Sequence, residues 1–163
     1  MSVIDELLEN NRAYAEGFGA ADLPSPPAKK VAVVTCMDAR IDPAKVLGFE
    51  VGDAHVLRNA GGVVTDEEIR SLAVSQHLLG TEAIVVIGHT DCGMAKFTDE
   101  EFATRLESAT GERPAWRART FVDVDEAVRE SLRRIRKSPF VPNKSSVRGF
   151  VYDVETGLLR EVE

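Results

Sequence analysis

Two short, unbroken apolar runs, Val31-Ala32-Val33-Val34 and Ala83-Ile84-Val85-Val86-Ile87, are rich in β-branched residues and each ends abruptly in a polar cluster. Runs of this length and composition predict strands covered on both faces, as in a parallel sheet. Ala54-His55-Val56-Leu57-Arg58 predicts a further strand, broken by Asn59-Ala60-Gly61-Gly62.

Helical periodicity fills the intervals. Residues 2–18 predict an amphipathic helix with Ile4, Leu7, Leu8, Ala15 and Phe18 near one side, and Leu23-Pro24-Ser25-Pro26-Pro27 then forces an extended arm. Asp42-Pro43 opens a short helix that Gly48 closes. Thr65-Asp66-Glu67-Glu68 has capping-box spacing and begins a helix that runs through Ile69, Leu72, Ala73, Gln76 and Leu79 to Gly80. Thr98-Asp99-Glu100-Glu101 repeats the signal for a helix toward Ala109, and Asp123 with Glu126 starts another toward Lys137. The tail predicts a strand at Gly149–Val154, a turn at Glu155-Thr156-Gly157 and a short return at Leu158-Leu159. Strand and helix alternate, so the expected class is α/β: a mostly parallel β-sheet flanked by helices, with an antiparallel edge strand and an N-terminal helical arm. The expected organisation is one domain over residues 1–163, with the helix and proline-rich arm in 1–28 and the α/β core in 29–163. The first helix must dock somewhere, on its own domain or on a second subunit.

The formal net charge of -7 argues against a nucleic-acid partner, because phosphates call for a basic face. The basic group Arg129, Arg133, Arg134, Arg136 and Lys137 falls in a predicted helix and reads as a solvated face. Asp5, Glu6 and Glu9 occupy the place where a secretory signal needs positive charge, and no run approaches bilayer length, so a cytoplasmic protein off the membrane is expected. In a reducing compartment the two cysteines, Cys36 and Cys92, are more plausible as metal ligands or catalytic groups than as a disulfide. A thiol redox pair is the rival reading.

The polar clusters carry the chemistry. Cys36 follows the first apolar run and His89-Thr90-Asp91-Cys92-Gly93 follows the other, beyond the carboxyl ends of strands, where open parallel sheets collect ligands. Two thiols and an imidazole match a catalytic zinc site, which keeps three protein ligands and one exchangeable position. Two thiolates cancel the charge of Zn²⁺, so acidifying a bound water is harder here than at an all-imidazole site. Asp38 can hold that water by accepting a hydrogen bond, and Arg40 can engage Asp38 in a two-pronged pair that keeps the carboxylate off the metal. Asp91 is a candidate to orient a ligand or cap the loop. Asn59, Ala60, Gly61 and Gly62 are candidates for a substrate pocket, and His55 and His77 read as structural.

Cys36-x-Asp38-x-Arg40 followed by His89-x-x-Cys92-Gly93 resembles the β-class carbonic anhydrases. The resemblance extends through Arg58-Asn59-Ala60-Gly61, Leu79-Gly80 and Arg148-Gly149-Phe150-Val151, and is strongest to the short mycobacterial and archaeal members. It implies that Cys36, His89 and Cys92 bind Zn²⁺, that Asp38 and Arg40 form a dyad gating the fourth position, and that zinc-bound hydroxide converts CO2 reversibly to bicarbonate. It also implies a closed state with Asp38 as fourth ligand, and a homodimer or higher homo-oligomer with the N-terminal arm wrapped on the partner. The glutamine that plant-like members place after their second strand has no equivalent here. Hydrolysis of carbonyl sulfide or carbon disulfide on the same scaffold is the alternative within enzymes. A non-catalytic zinc- or bicarbonate-binding protein is the alternative outside them.

Overall fold

Residues 2–163 are described by the computed structural model, and the strands run in the spatial order β2-β1-β3-β4-β5. In chain order the elements are α1 (Val3–Glu16), β1 (Val31–Cys36), α2 (Pro43–Leu47), β2 (Ala54–Asn59), α3 (Asp66–Leu79), β3 (Ala83–His89), a 3₁₀ turn (Gly93–Ala95), α4 (Asp99–Thr110), α5 (Val124–Lys137), β4 (Val147–Tyr152) and β5 (Leu159–Val162). The pairs β1–β2, β1–β3 and β3–β4 are parallel, and β5 returns antiparallel to β4. This is the expected α/β sheet with one antiparallel edge. From β1 the chain moves first to one side, to β2, and then to the other, to β3. That reversal opens a crevice beyond the carboxyl ends of β1 and β3.

Helix ends follow the local chemistry. Ser2, Thr65 and Thr98 each form a complete capping box, with Asp5, Glu68 and Glu101 reaching back, and Asp123 caps α5 by accepting from the N–H groups of Asp125 and Glu126. On α5 the buried residues Val128, Ser131, Leu132 and Ile135 recur at helical spacing and make one stripe. Val128, Leu132 and Ile135 join Leu72 of α3 and Ala32, Val34, Ile84, Val86 and Val151 of the sheet in a single buried cluster. The four arginines of α5 are engaged: Arg133 pairs with Glu126 and Glu130, Arg134 with Asp66, and Arg129 and Arg136 donate to the carbonyls of Glu163 and Val147.

Strands β1 and β2 run on to Cys36 and Asn59, past their expected ends at Val34 and Arg58, and β3 and β4 depart from their expected bounds at a glycine. β3 continues through Gly88 to His89, and β4 begins at Val147 with Gly149 inside it. A Cβ on Gly88 would stand 2.7 Å from a Val124 methyl, and one on Gly149 would stand 2.5 Å from a Val128 methyl and 2.8 Å from Leu132. These glycines end nothing; they let α5 lie close on the sheet. The tail strand, expected at 149–154, is shifted toward the N-terminus accordingly, and its return strand extends to Val162 instead of stopping at Leu159.

The first helix is shorter than expected, since Gly17 caps it and leaves Phe18 outside. It buries none of its residues, and Val3, Ile4, Leu7 and Leu8 are all exposed. Among the described residues, no helix is long and apolar enough to cross a membrane.

Candidate metal centre

Cys36 is the last residue of β1 and His89 the last of β3, so two neighbouring parallel strands deliver a thiol and an imidazole to the same edge. Asp91 takes a left-handed conformation, φ 52°, which turns the chain back and brings Cys92 to the same point. The donor atoms of Cys36, His89 and Cys92 all lie within 4.8 Å of one another, and all three residues are buried.

The imidazole is oriented for ligation. His89 Nδ1 lies 2.8 Å from the Thr90 carbonyl, and since a carbonyl can only accept, Nδ1 carries the proton. In the neutral imidazole that ligates a metal, the lone pair is then on Nε2. That nitrogen is buried and lacks a hydrogen-bond partner in the protein. A buried polar atom without a partner is costly, and here it points toward two sulfurs. A soft, imidazole- and thiolate-binding cation such as zinc fits this donor set.

The thiols are prepared unequally. A hydrogen bond from Cys92, with smaller contributions from His89 and the amides of Asp38 and Gly61, pulls the Cys36 thiol well below its ordinary range despite burial. The Gly61 N–H donates to Cys36 Sγ at 3.3 Å. Cys92 moves upward, because its proton bridges to Cys36 and burial opposes a second negative charge. A dication held here would favour both sulfurs as thiolates. Both cysteines are free thiols.

Asp38 and Arg40 stand at the rim as an engaged pair. Arg40 Nε donates to Asp38 Oδ1 at 3.0 Å and Nη2 to Oδ2 at 2.8 Å, and the Arg40 amide adds a bond to Oδ1 at 2.9 Å. Arg40 accordingly holds the Asp38 carboxyl far below the usual carboxylate range. Asp38 Oδ2 is nevertheless only 3.8 Å from His89 Nε2. The guanidinium also donates to the Asp91 carboxylate and carbonyl. Asp91 thus neither caps the loop nor touches a ligand side chain; it binds Arg40 and Lys96.

Residues 58–62 serve the metal-ligand loop. Arg58 donates to the carbonyls of Cys36 and Asp38, both at 2.8 Å. Asn59 closes its own turn through the N–H and carbonyl of Val63. Gly62 lies against the backbone of Cys36, and Ala60 and Gly61 face a cavity. His55 and His77 are structural as expected, bonded to Ser75 Oγ and facing the Phe140 carbonyl.

The cavity, of about 600 Å³, runs from Cys36, Asp38 and Cys92 to a wall of Met94, Phe97, Phe102 and Trp116. Phe102 packs between the other two aromatic rings, with centroids 5.5 Å from Phe97 and 6.3 Å from Trp116. Sequence reasoning missed this wall, because its residues come from the 3₁₀ turn, the loop that follows it, α4 and the irregular segment after α4, with no shared periodicity.

A family model described as carbonic anhydrase matches residues 31–159. The chain is 54% identical over 162 residues to β-carbonic anhydrase 1 of Mycobacterium tuberculosis, covering 99% of each. It is 33% identical to a carbon disulfide hydrolase of Saccharolobus solfataricus, covering 98% of this chain and 90% of that one. The crystal structure of a carbonic anhydrase from Streptococcus mutans superposes with a TM-score of 0.94 at 45% identity, covering 100% of this chain and 99% of the other.

Proposed function

The chain belongs to the β-class carbonic anhydrases, and from that premise we propose that it hydrates CO2 reversibly to bicarbonate and a proton, with Cys36, His89 and Cys92 holding zinc and Asp38 with Arg40 gating the remaining position. The observation that carries this reading is His89 Nε2, buried and without a hydrogen-bond partner among the described residues, beside two thiols.

Zinc held by these residues would supply the Lewis acidity that makes a water nucleophilic near neutral pH. The residues of the chain do the rest. Asp38, kept ionised by Arg40, accepts a hydrogen bond from the attacking water and aims its lone pair at the substrate carbon. Arg40 withholds Asp38 from the metal; released, Asp38 needs only a short movement to become a fourth ligand and close the site. The side chains of Met94, Phe97 and Phe102 offer an apolar surface to an apolar triatomic molecule.

Residues 29–163 form the catalytic core in this reading, and residues 1–28 form an arm. The exposed apolar residues of α1 support its packing on a second copy, giving a homodimer or larger homo-oligomer. Thiols used as metal ligands suit a cytoplasmic location.

The apolar wall also favours a second reading, hydrolysis of carbonyl sulfide or carbon disulfide, since both are apolar and linear. Stopped-flow assays of zinc-loaded protein on CO2, carbonyl sulfide and carbon disulfide separate the two. Rapid CO2 hydration across about pH 7 to 9, around the near-neutral pKa of zinc-bound water, is expected. Zinc-replete protein inert toward CO2 would overturn the leading reading. Asp38→Ala should abolish turnover and keep the metal; loss of the metal would identify Asp38 as a structural ligand of a non-catalytic site.

A further inference from the structure

We propose that Asp91, braced by Lys96, is a positioning residue that anchors Arg40 and thereby holds Asp38 off the metal. This inference rests on the zinc-dependent reading above. An exposed Arg–Asp pair on its own is a weak restraint, because the long side chain loses entropy and water screens the attraction. Asp38 and Arg40 alone could move as a unit, carrying the carboxylate across the 3.8 Å that separate Oδ2 from His89 Nε2. A gate needs a fixed post.

Asp91 provides one. Arg40 Nη1 donates to Asp91 Oδ2 at 2.9 Å, while Nη2 donates both to the Asp91 carbonyl at 3.0 Å and to Asp38. With Nε on Asp38 as well, every nitrogen of the guanidinium is engaged, one side on the gate and the other on Asp91. The left-handed backbone at Asp91 aims its carbonyl and its carboxylate at the same guanidinium. Lys96 Nζ takes the other carboxylate oxygen at 2.7 Å and stops the side chain from rotating away. Asp91 also lies between His89 and Cys92, so the post is fixed to the metal loop itself. The position of Asp38 is therefore set relative to the ligands rather than to the solvent-facing loop that bears it.

The test uses full-length protein loaded with Co²⁺, whose visible absorption reports coordination, titrated with azide as a small anion that needs the open position. Asp91→Gly removes the carboxylate while accepting the positive φ without strain. The variant should retain one cobalt per chain and bind azide about tenfold more weakly or worse, because only the fraction with Asp38 withdrawn can bind. Lys96→Met should shift affinity in the same direction by less. The double variant Asp38→Ala with Asp91→Gly should recover the wild-type azide affinity, since the group that fills the position is gone. Unchanged affinity in Asp91→Gly overturns the proposal. So does weak binding in both Asp91→Gly and the double variant, which would mean general damage to the loop. Wild-type protein that takes up no cobalt overturns this proposal and the zinc reading together, whereas cobalt uptake with an unaffected azide site in Asp91→Gly overturns the anchor alone.

Discussion

Gly62 and Cys36 are in backbone contact: a Cβ on Gly62 would stand 2.7 Å from the Cys36 amide nitrogen and 2.9 Å from the Thr35 carbonyl carbon. The same glycine has φ 63°, where a side chain adds strain. Gly62→Ala should therefore destabilise the protein by about 2–4 kcal/mol, combining overpacking with backbone strain. It should also displace Cys36 and weaken metal binding. Urea unfolding and zinc competition with a chelating dye measure both; a stability within experimental error of wild type would show that the β2–α3 turn relaxes freely.

The three candidate ligands converge from two strand ends and a tight turn. Cys36→Ala, His89→Ala and Cys92→Ala should each weaken zinc binding by more than about 100-fold, beyond the loss typical of outer groups. Chelation of the wild-type protein should lower its thermal midpoint, because metal binding stabilises only the folded state. Metal content by mass spectrometry and thermal melts with and without chelator check these outcomes. An alanine variant that keeps stoichiometric zinc at wild-type affinity would remove that residue from the ligand set.

Arg40 depresses the Asp38 carboxyl in the folded protein below its ordinary value of 3.8. A lowered folded pKa means that ionised Asp38 stabilises the fold fully above the unfolded value, and that this contribution disappears as pH falls through the lower folded value. The stability difference between metal-free wild type and Asp38→Asn should thus be constant near neutral pH and shrink as pH drops below about 4, where the unfolded carboxyl begins to protonate. Denaturant midpoints of both proteins across that interval provide the check. A difference that persists unchanged into strong acid would show that the Asp38–Arg40 pair contributes no pH-linked stability.

Leu7 and Leu8 are exposed on a helix none of whose own residues is buried. Replacing both with glutamate should leave the helical content near wild type and reduce the assembled mass, because charge on an interface core opposes association. Light scattering coupled to gel filtration measures the outcome. Wild type that runs as a monomer at high concentration would refute the arm exchange.

The clustering of Cys36, His89 and Cys92 was legible early because it rests on local order. Apolar runs mark β1 and β3, and the residues that follow them, Cys36 and His89-x-x-Cys92, are tied by chain geometry to the strand ends. Capping boxes at Thr65 and Thr98 behave in the same way, since each involves residues three apart. Gly88 and Gly149 misled the strand bounds, because a glycine seen in sequence signals a break while its effect here depends on a helix packed above it.

Sequence by itself determined the α/β alternation, the candidate donors Cys36, His89 and Cys92, and the pairing of Asp38 with Arg40, because each rests on a local pattern: an apolar run, the residues just beyond it, or two residues of one loop. Only the tertiary structure decided that Arg58 braces the Cys36 loop, that Asp91 turns toward Arg40, and that Met94, Phe97, Phe102 and Trp116 share one wall. Those relationships join segments separated in sequence, and whether their side chains meet depends on strand order, helix placement and rotamer choice, quantities that no local pattern encodes.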